Sequence, residues 1–526
     1  MITEGRLGPR DLNVTDPTSW WGILPSAPPG ETTRGILAGL SALGIITLCG
    51  CWAALGYAAL AGRVPTRTGL AAAFAWTLPF ALGPPLFSRD VYAYAGQGEL
   101  ARLGLDPARH GIAALATSGA VDGSGPVFVR AVDPRWTLTH SPYGGAAVAV
   151  EKVAAVVGGG PAGTVVALRV FAVVAVLALI AGALRLAGRD PRRRAVVAVL
   201  VAANPVLAVH LVGGAHLDAA AAALVVAALL LQGRTRDAAR TDGGGRWAAV
   251  LVGAGATGLA ALAGNVKVTA LPVVVWLVVA HLLDARRGPR PVPDAMIRLA
   301  ADVVAIAVAT ALCTVAAGFG PTWVHALATS GALSTGIAPA SLLAHAIHAL
   351  LGLVGIHTAA ETTLKASRDL CLALAAAFLV GLVLRTWRRP PTPTSDDAAP
   401  GMVRPDLAVV GYGGLAVALA NPVVYPWYLA ACLPALAILA VLRTELPART
   451  RTFAAAGPLG AAAVGAIVAS VWLCLATLSP LAATWRLLGP VGLALLVTVV
   501  ASAALGGGRA AMVAARRRPA APTSTR

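Results

Sequence analysis

The chain has 526 residues, of which 57% are hydrophobic and only 12% charged, with a formal net charge of +18. A mean hydropathy of +0.76 excludes an ordinary soluble multidomain protein and points to a membrane bundle. The charge does not mark a nucleic-acid binder, because the arginines stand in short clusters between apolar runs, as they do in cytoplasmic loops of membrane proteins.

Met1 to Arg34 is polar and Pro-rich, with no basic start leading into a short apolar stretch, so no cleavable leader is expected and the first apolar run serves as the membrane signal. An α-helix needs about 20 apolar residues to cross a hydrocarbon core of about 30 Å. Thirteen runs approach this: Gly35 to Gly62, Gly69 to Phe87, Val165 to Ala187, Ala195 to Val212, Ala219 to Leu231, Trp247 to Ala263, Val268 to Leu283, Leu299 to Phe319, Leu370 to Leu384, Leu407 to Leu419, Trp427 to Leu442, Phe453 to Leu478 and Leu487 to Leu505. The expected fold is therefore all-α, a polytopic bundle of about 13 spans over residues 35–505, with a polar, external N-terminal segment 1–34 and a basic cytoplasmic tail 506–526.

Most of the arginine falls in the connections at 63–67, 185–194, 234–246, 286–298, 385–404 and 443–451 and in the tail. The positive-inside rule makes these cytoplasmic, and an even number of spans separates each from the next, provided Ser341 to Ile356 does not cross. That stretch carries His345 and His348, precedes the polar run His357 to Asp369, and is read as a re-entrant or interfacial helix. The N-terminus is then outside and the C-terminus inside. Two long external loops result, 88–164 and 320–369, and loops this long usually carry function. The six cysteines form no CxxC and lie within or beside apolar runs, which reads as small buried hydrophobes.

The first external loop opens with FSRDVYAYAGQGELARLGLDPARHG, in which Asp90, Tyr92, Tyr94, Gln97 and Glu99 have helical spacing, so an amphipathic helix lying on the membrane surface is expected, with Arg89, Tyr94 and Gln97 candidates to line a substrate cavity. Asp90 alone would suit a helix cap or a partner for Arg89. VDPRWTLTHSPYGG follows with Asp133, Arg135, Trp136, His140 and Tyr143, where Pro and Gly set a turn and the aromatics suit an interface belt. GGAHLDA brings His216 and Asp218, too few ligands for a zinc site and better read as the lining of a polar cavity. AGNVKVTALP holds Lys267, a cation costly at such depth, which either snorkels to the interface or pairs with Asp218, or else binds a phosphate. NPVVYPWYL contributes Asn421, Tyr425, Trp427 and Tyr428. In this topology all of these emerge opposite the arginine clusters. A carboxylate, a cation and aromatics converging at membrane level describe a site for an anionic lipid carrying a sugar.

The ordered motifs FSRDVYAYAGQGELARLGLDPARHG, THSPYGG, GGAHLDA and NPVVYPWYL resemble the actinobacterial polyprenol-phosphomannose-dependent α-1,6-mannosyltransferases of the GT-C superfamily, from roughly Trp20 to the last span. The resemblance implies a GT-C helix bundle, a carboxylate at the end of a span acting as catalytic base, matched by Asp90, and transfer of mannose from a polyprenyl phosphate to a lipid-anchored α-1,6-mannan outside the cytoplasm. The chain departs from the family pattern in carrying His216, Leu217 and Asp218 where an HND triplet is usual, and Ala108 where an aromatic follows the DP. A β-linked donor giving an α-linked product implies one in-line inversion, with Lys267 first, then Arg109 and His110, as partners for the leaving phosphate. No metal or cofactor is expected, since polyprenyl phosphate leaves as a stabilised anion. The competing classes are a transferase for another prenyl-linked sugar and a transporter or lipid flippase. A transporter is disfavoured because no repeated halves are visible and the charges lie at span ends.

Overall fold

The structure is a computed structural model that describes residues 30–117, 123–239, 245–330, 337–356, 358–388, 404–442 and 461–476. Among these residues the regular structure is helical throughout, without a strand. Among the described residues seven helices are long and apolar enough to cross a membrane: α1 (Glu31–Leu60), α5 (Pro161–Leu186), α7 (Asp218–Ala238), α8 (Gly245–Val266), α9 (Val268–Arg286), α10 (Pro291–Ala317) and α12 (Ala360–Arg388). An eighth is α6, the pair Pro191–Ala202 and Val206–Val212, bent by 45°. The bend has a local cause: Pro205 cannot donate the helical hydrogen bond, and the Asn204 side chain instead accepts from the Val206 N–H at 2.9 Å.

Other expected spans are shorter as helices. The second run becomes α2 (Thr66–Leu82), 17 residues long. It stops before Phe87 because Gly83 precedes Pro84, which disfavours the helical backbone at Gly83, found extended at ψ 176°. The run after Leu407 is a continuous helical segment, α13, over 404–420 with a π-helical turn at Val409–Gly413. Trp427 to Leu442 resolves into a 3-10 turn at Pro426–Leu429 and α14 (Leu433–Leu442). The described part of the next run is α15 (Ala461–Ala476). The run Leu487 to Leu505 and the tail lie outside the described residues, as do residues 1–29. Ser341 to Ile356 forms α11 (Pro339–Leu353), which at 15 residues is short for a crossing. The polar run after it is not a loop throughout, because α12 already begins at Ala360.

Outward faces of the long helices are apolar, as at Leu312 and Leu374, where a bilayer rather than water is the natural solvent. Of the cysteines, Cys49, Cys313, Cys432 and Cys474 are buried, whereas Cys51 is exposed.

The first loop departs from expectation. α3 (Asp90–Arg102) is not a surface-lying amphipathic helix, since every residue from Val91 to Ala101 is buried. Two glycines explain this. A Cβ at Gly98 would stand 2.2 Å from the Glu151 carbonyl of α4 (Gly145–Gly158), and one at Gly96 would stand 2.8 Å from Ile112. Their absence lets α4 and the following turn close onto α3. The polar residues of α3 are satisfied within this packing: Gln97 accepts from the Ser141 hydroxyl at 3.1 Å and Glu99 pairs with Arg102 at 2.6 Å. Gln97 thus ties α3 to the turn at Ser141, and Glu99 is paired within the helix, rather than either facing a bilayer surface.

Candidate active site

Two turns deliver the central residues. After α2 the chain runs extended through Pro84 and Pro85 to Phe87, which adopts φ 64°, and then enters α3 at Asp90. After α6 it passes Gly213 and Gly214 to Ala215, at φ 52°, and then reaches His216 and the first residue of α7, Asp218. These are the only non-glycine residues with positive φ among the described residues. Such conformations cost about 1–3 kcal/mol each and persist where surrounding structure over-determines them, commonly at functional sites. Here each precedes, by three positions, an aspartate of the cluster.

The cluster is compact. The His216 Nδ1 atom lies 3.7 Å from an Asp90 carboxylate oxygen and 3.4 Å from the Tyr94 hydroxyl, which in turn is 3.4 Å from the Tyr143 hydroxyl. Burial pushes the Asp90 carboxyl up to about 6, opposed chiefly by the Lys267 charge and by the Ser88 hydroxyl. Burial holds His216 well below its ordinary value, so it is a neutral imidazole and its approach to Asp90 is not an ion pair. The Asp90 side chain keeps 21% of its surface, enough to meet an incoming molecule. Burial also raises Tyr94 and Tyr143, so both present neutral hydroxyls.

Lys267, at the break between α8 and α9, donates to one Asp218 oxygen at 2.9 Å and lies 2.8 Å from the other as an ion pair. Its ammonium also lies 4.2 Å from the centre of the Tyr428 ring and 5.8 Å from that of Tyr143. Tyr143 reaches it because Gly144 permits contact with the Lys267 segment: a Cβ there would stand 2.3 Å from the Asn265 carbonyl. One wall is aromatic. Trp427 stacks on His216 at 3.7 Å and Tyr425 on Trp427 at 4.5 Å. Behind Tyr428 opens an apolar pocket lined by residues including Thr269, Val273, Val410, Ala418 and Cys432.

Of the residues singled out in the sequence, Asp90, Tyr94, Tyr143, His216, Asp218, Lys267, Tyr425 and Trp427 come together. Gln97 supports them from beneath through Ser141, whose hydroxyl also accepts from the Tyr143 N–H at 3.4 Å. Arg89 donates to the Val132 carbonyl at 3.3 Å and so anchors the start of α3 to the loop. His140 is half-buried nearby, and no hydrogen bond among the described residues ties it to the cluster. Arg109 and His110 are exposed and serve a different centre: Arg109 is 3.7 Å from the Asp106 carboxylate and His110 bonds the Asp106 carbonyl. Asp106 in turn accepts from Thr322, which joins the first long loop to the second. Sequence reasoning gave Tyr428 no specific role, and it passed over His210, whose ring lies 5.5 Å from Trp427. The pairing that reveals Tyr428 depends on contact with Lys267, which linear spacing does not show. Among the described residues no three His, Cys, Asp or Glu side chains are gathered closely enough to hold a metal ion.

Residues 1–282 match the family described as alpha-(1->6)-mannopyranosyltransferase, N-terminal domain, a stretch that contains every member of the cluster except the NPVVYPWYL aromatics. The chain is 30% identical to alpha-(1->6)-mannopyranosyltransferase A of Mycobacterium tuberculosis, across 85% of this chain and 80% of that protein. It is 27% identical to alpha-(1->6)-mannopyranosyltransferase A of Corynebacterium glutamicum, across 58% of this chain and 61% of the relative, and 27% identical to alpha-(1->6)-mannopyranosyltransferase B of the same organism, across 68% and 56%. No solved structure matches the chain. The chain belongs to the alpha-(1->6)-mannopyranosyltransferase family and is a mannosyltransferase.

Proposed function

We propose that this enzyme moves mannose from polyprenyl-phosphate-mannose to an α-1,6-linked mannan growing on a lipid-anchored acceptor, as in lipomannan-type envelope glycans. The reaction inverts the anomeric centre and takes place at the extracytoplasmic face of the plasma membrane. The observation that carries this reading is Asp90: a partly exposed carboxylate, pushed up to about 6, beside a neutral His216 and a cation held by Asp218.

In this reading the acceptor hydroxyl gives its proton to Asp90 as its oxygen bonds to the anomeric carbon of mannose, and the bond from that carbon to the phosphate oxygen breaks on the opposite face. A carboxylate ionising near 6 is mostly a base at neutral pH and more basic than an ordinary aspartate. The leaving phosphodiester becomes a phosphomonoester with an added negative charge. Lys267 suits that charge, because an ammonium has three N–H donors and its hydrogen bond to Asp218 does not use them all. Half-buried Tyr425, backed by Trp427, offers a face for a sugar ring, and the apolar pocket behind Tyr428 suits the start of a prenyl chain. Arg109 and His110, held at Asp106, are weaker candidates for the phosphate than Lys267. The placement outside rests on the sorting of arginine: Arg194, Arg236 and Arg286 lie at the ends of their helices remote from Asp90, where the positive-inside rule puts the cytoplasm. With it go about thirteen spans over 35–505 in one GT-C module, residues 1–34 outside and 506–526 inside.

The test supplies full-length protein in lipid with a synthetic mannosyl phosphoprenol and a short α-1,6-mannoside. Wild type extends the acceptor with an α-linkage, and Asp90→Asn loses turnover by about 10²- to 10⁴-fold while retaining donor binding. Extension only with a different prenyl-linked sugar refutes the donor; full turnover in Asp90→Asn refutes the base.

A further inference from the structure

Arg169 lies in the first half of α5 and is 7% exposed. A guanidinium inside a span is expensive and pairs with a carboxylate or with backbone carbonyls. This one meets carbonyls. One terminal nitrogen donates to the carbonyls of Phe80 at 2.8 Å, Gly83 at 3.0 Å and Ala81 at 3.3 Å, and the other donates to the Gly213 carbonyl at 2.9 Å. Among the described residues it has no carboxylate partner. The first three carbonyls are at the C-terminal end of α2, where helical acceptors are left over and the helix dipole is negative. Gly213 follows the end of α6, and its carbonyl also accepts from the Leu86 N–H at 3.3 Å.

The two turns clamped in this way are those that deliver the cluster. Beyond Gly83 lies Phe87 and then Asp90; beyond Gly213 lies Ala215 and then His216 and Asp218, with both intervening residues in the left-handed region. Capping α2 alone would need one nitrogen, whereas the fork of Arg169 spans both turns. We propose that Arg169 is a positioning residue, which locks the two strained turns together and so sets the placement of Asp90 against His216 and Asp218. The inference rests on the reading of Asp90 as the base.

Arg169→Met, Arg169→Lys and Asp90→Asn are compared in the full-length protein in lipid, with mannosyl phosphoprenol, an α-1,6-mannoside and thermal melting to count folded protein. Misplacement of a base by about 1 Å costs on the order of 100-fold. Arg169→Met is therefore expected to lower kcat by about 100-fold with donor KM changed by less than about threefold. Arg169→Lys keeps the charge but reaches one turn only, and falls between Arg169→Met and wild type. Wild-type kcat in either Arg169 variant overturns the proposal, as does a loss fully matched by loss of folded protein. If Arg169→Met does not fold, Arg169→Lys decides by the same criteria. Asp90→Asn inactive beside Arg169 variants at wild-type rate sinks this inference alone; Asp90→Asn at wild-type rate sinks both.

Discussion

The two ends of α7 hold buried carboxylates and cations in contrasting ways. At its start Asp218 pairs with Lys267; about 27 Å further along the helix axis, Arg236 donates to Asp284 at 2.8 Å and to both oxygens of Asp406. Asp406 also accepts from the Trp276 indole at 3.1 Å. One guanidinium shared by two carboxylates on α9 and α13 is a closed arrangement with no strained backbone beside it. The Asp218 end is open by comparison. Among the described residues Lys267 retains an N–H, the His216 Nε2 atom has no hydrogen-bond partner, Asp90 faces a neutral ring, and two residues hold unfavourable φ. Buried charge is thus common to both clusters; what sets the proposed site apart from the other is incomplete satisfaction together with strained backbone beside it.

The strongest way to break that comparison is to open the closed end. Arg236→Met leaves the fully buried Asp406 without its cation, while Asp284 keeps Arg287 at 4.0 Å, and removal of one partner from a buried pair costs about 3–5 kcal/mol. Denaturation in detergent should show a loss of that size, while kcat per folded molecule stays within about twofold of wild type. A large kcat loss without destabilisation would mean that both ends belong to the catalytic machinery.

A smaller effect of opposite sign sharpens the comparison at the open end. Asp90 ionises at about 6 in the folded protein against 3.8 ordinarily, so folding disfavours its charged form. Wild type should lose stability relative to Asp90→Asn as pH rises from about 4 to 6, by about 2 kcal/mol once partial exposure is allowed for. Melting at pH 4 and pH 7.5 checks this: the variant should gain only at the higher pH. Destabilisation of Asp90→Asn at pH 7.5 would show that the carboxylate is held for folding rather than for chemistry.

Much of this was legible in the sequence, for physical reasons that differ from residue to residue. Apolar run length marked the long spans, because a bilayer core imposes a length on any helix that crosses it. Asp90 stood out as a carboxylate where an apolar run ends, and Lys267 as an isolated cation whose pairing with Asp218 was one of several readings. The burial of α3 was not legible, because its polar residues have the spacing of a surface helix and the partners that satisfy them, such as Ser141, lie far along the chain. Trp427 on His216 and Arg169 on Phe80 and Gly213 are contacts between segments remote in sequence. Arg169 in particular resembles any charged residue near a span end until its four carbonyl partners are seen.

The most direct test of the account is the pH dependence of kcat for mannosyl transfer by full-length wild type and Lys267→Met in lipid. Because Asp90 must be ionised to act as base, wild-type activity should fall tenfold per unit below about pH 6. Lys267 holds that value down, so its removal should move the acid limb to higher pH, whatever it does to the plateau. An acid limb near pH 4 in wild type, or one that moves to lower pH in Lys267→Met, would contradict the assignment of Asp90.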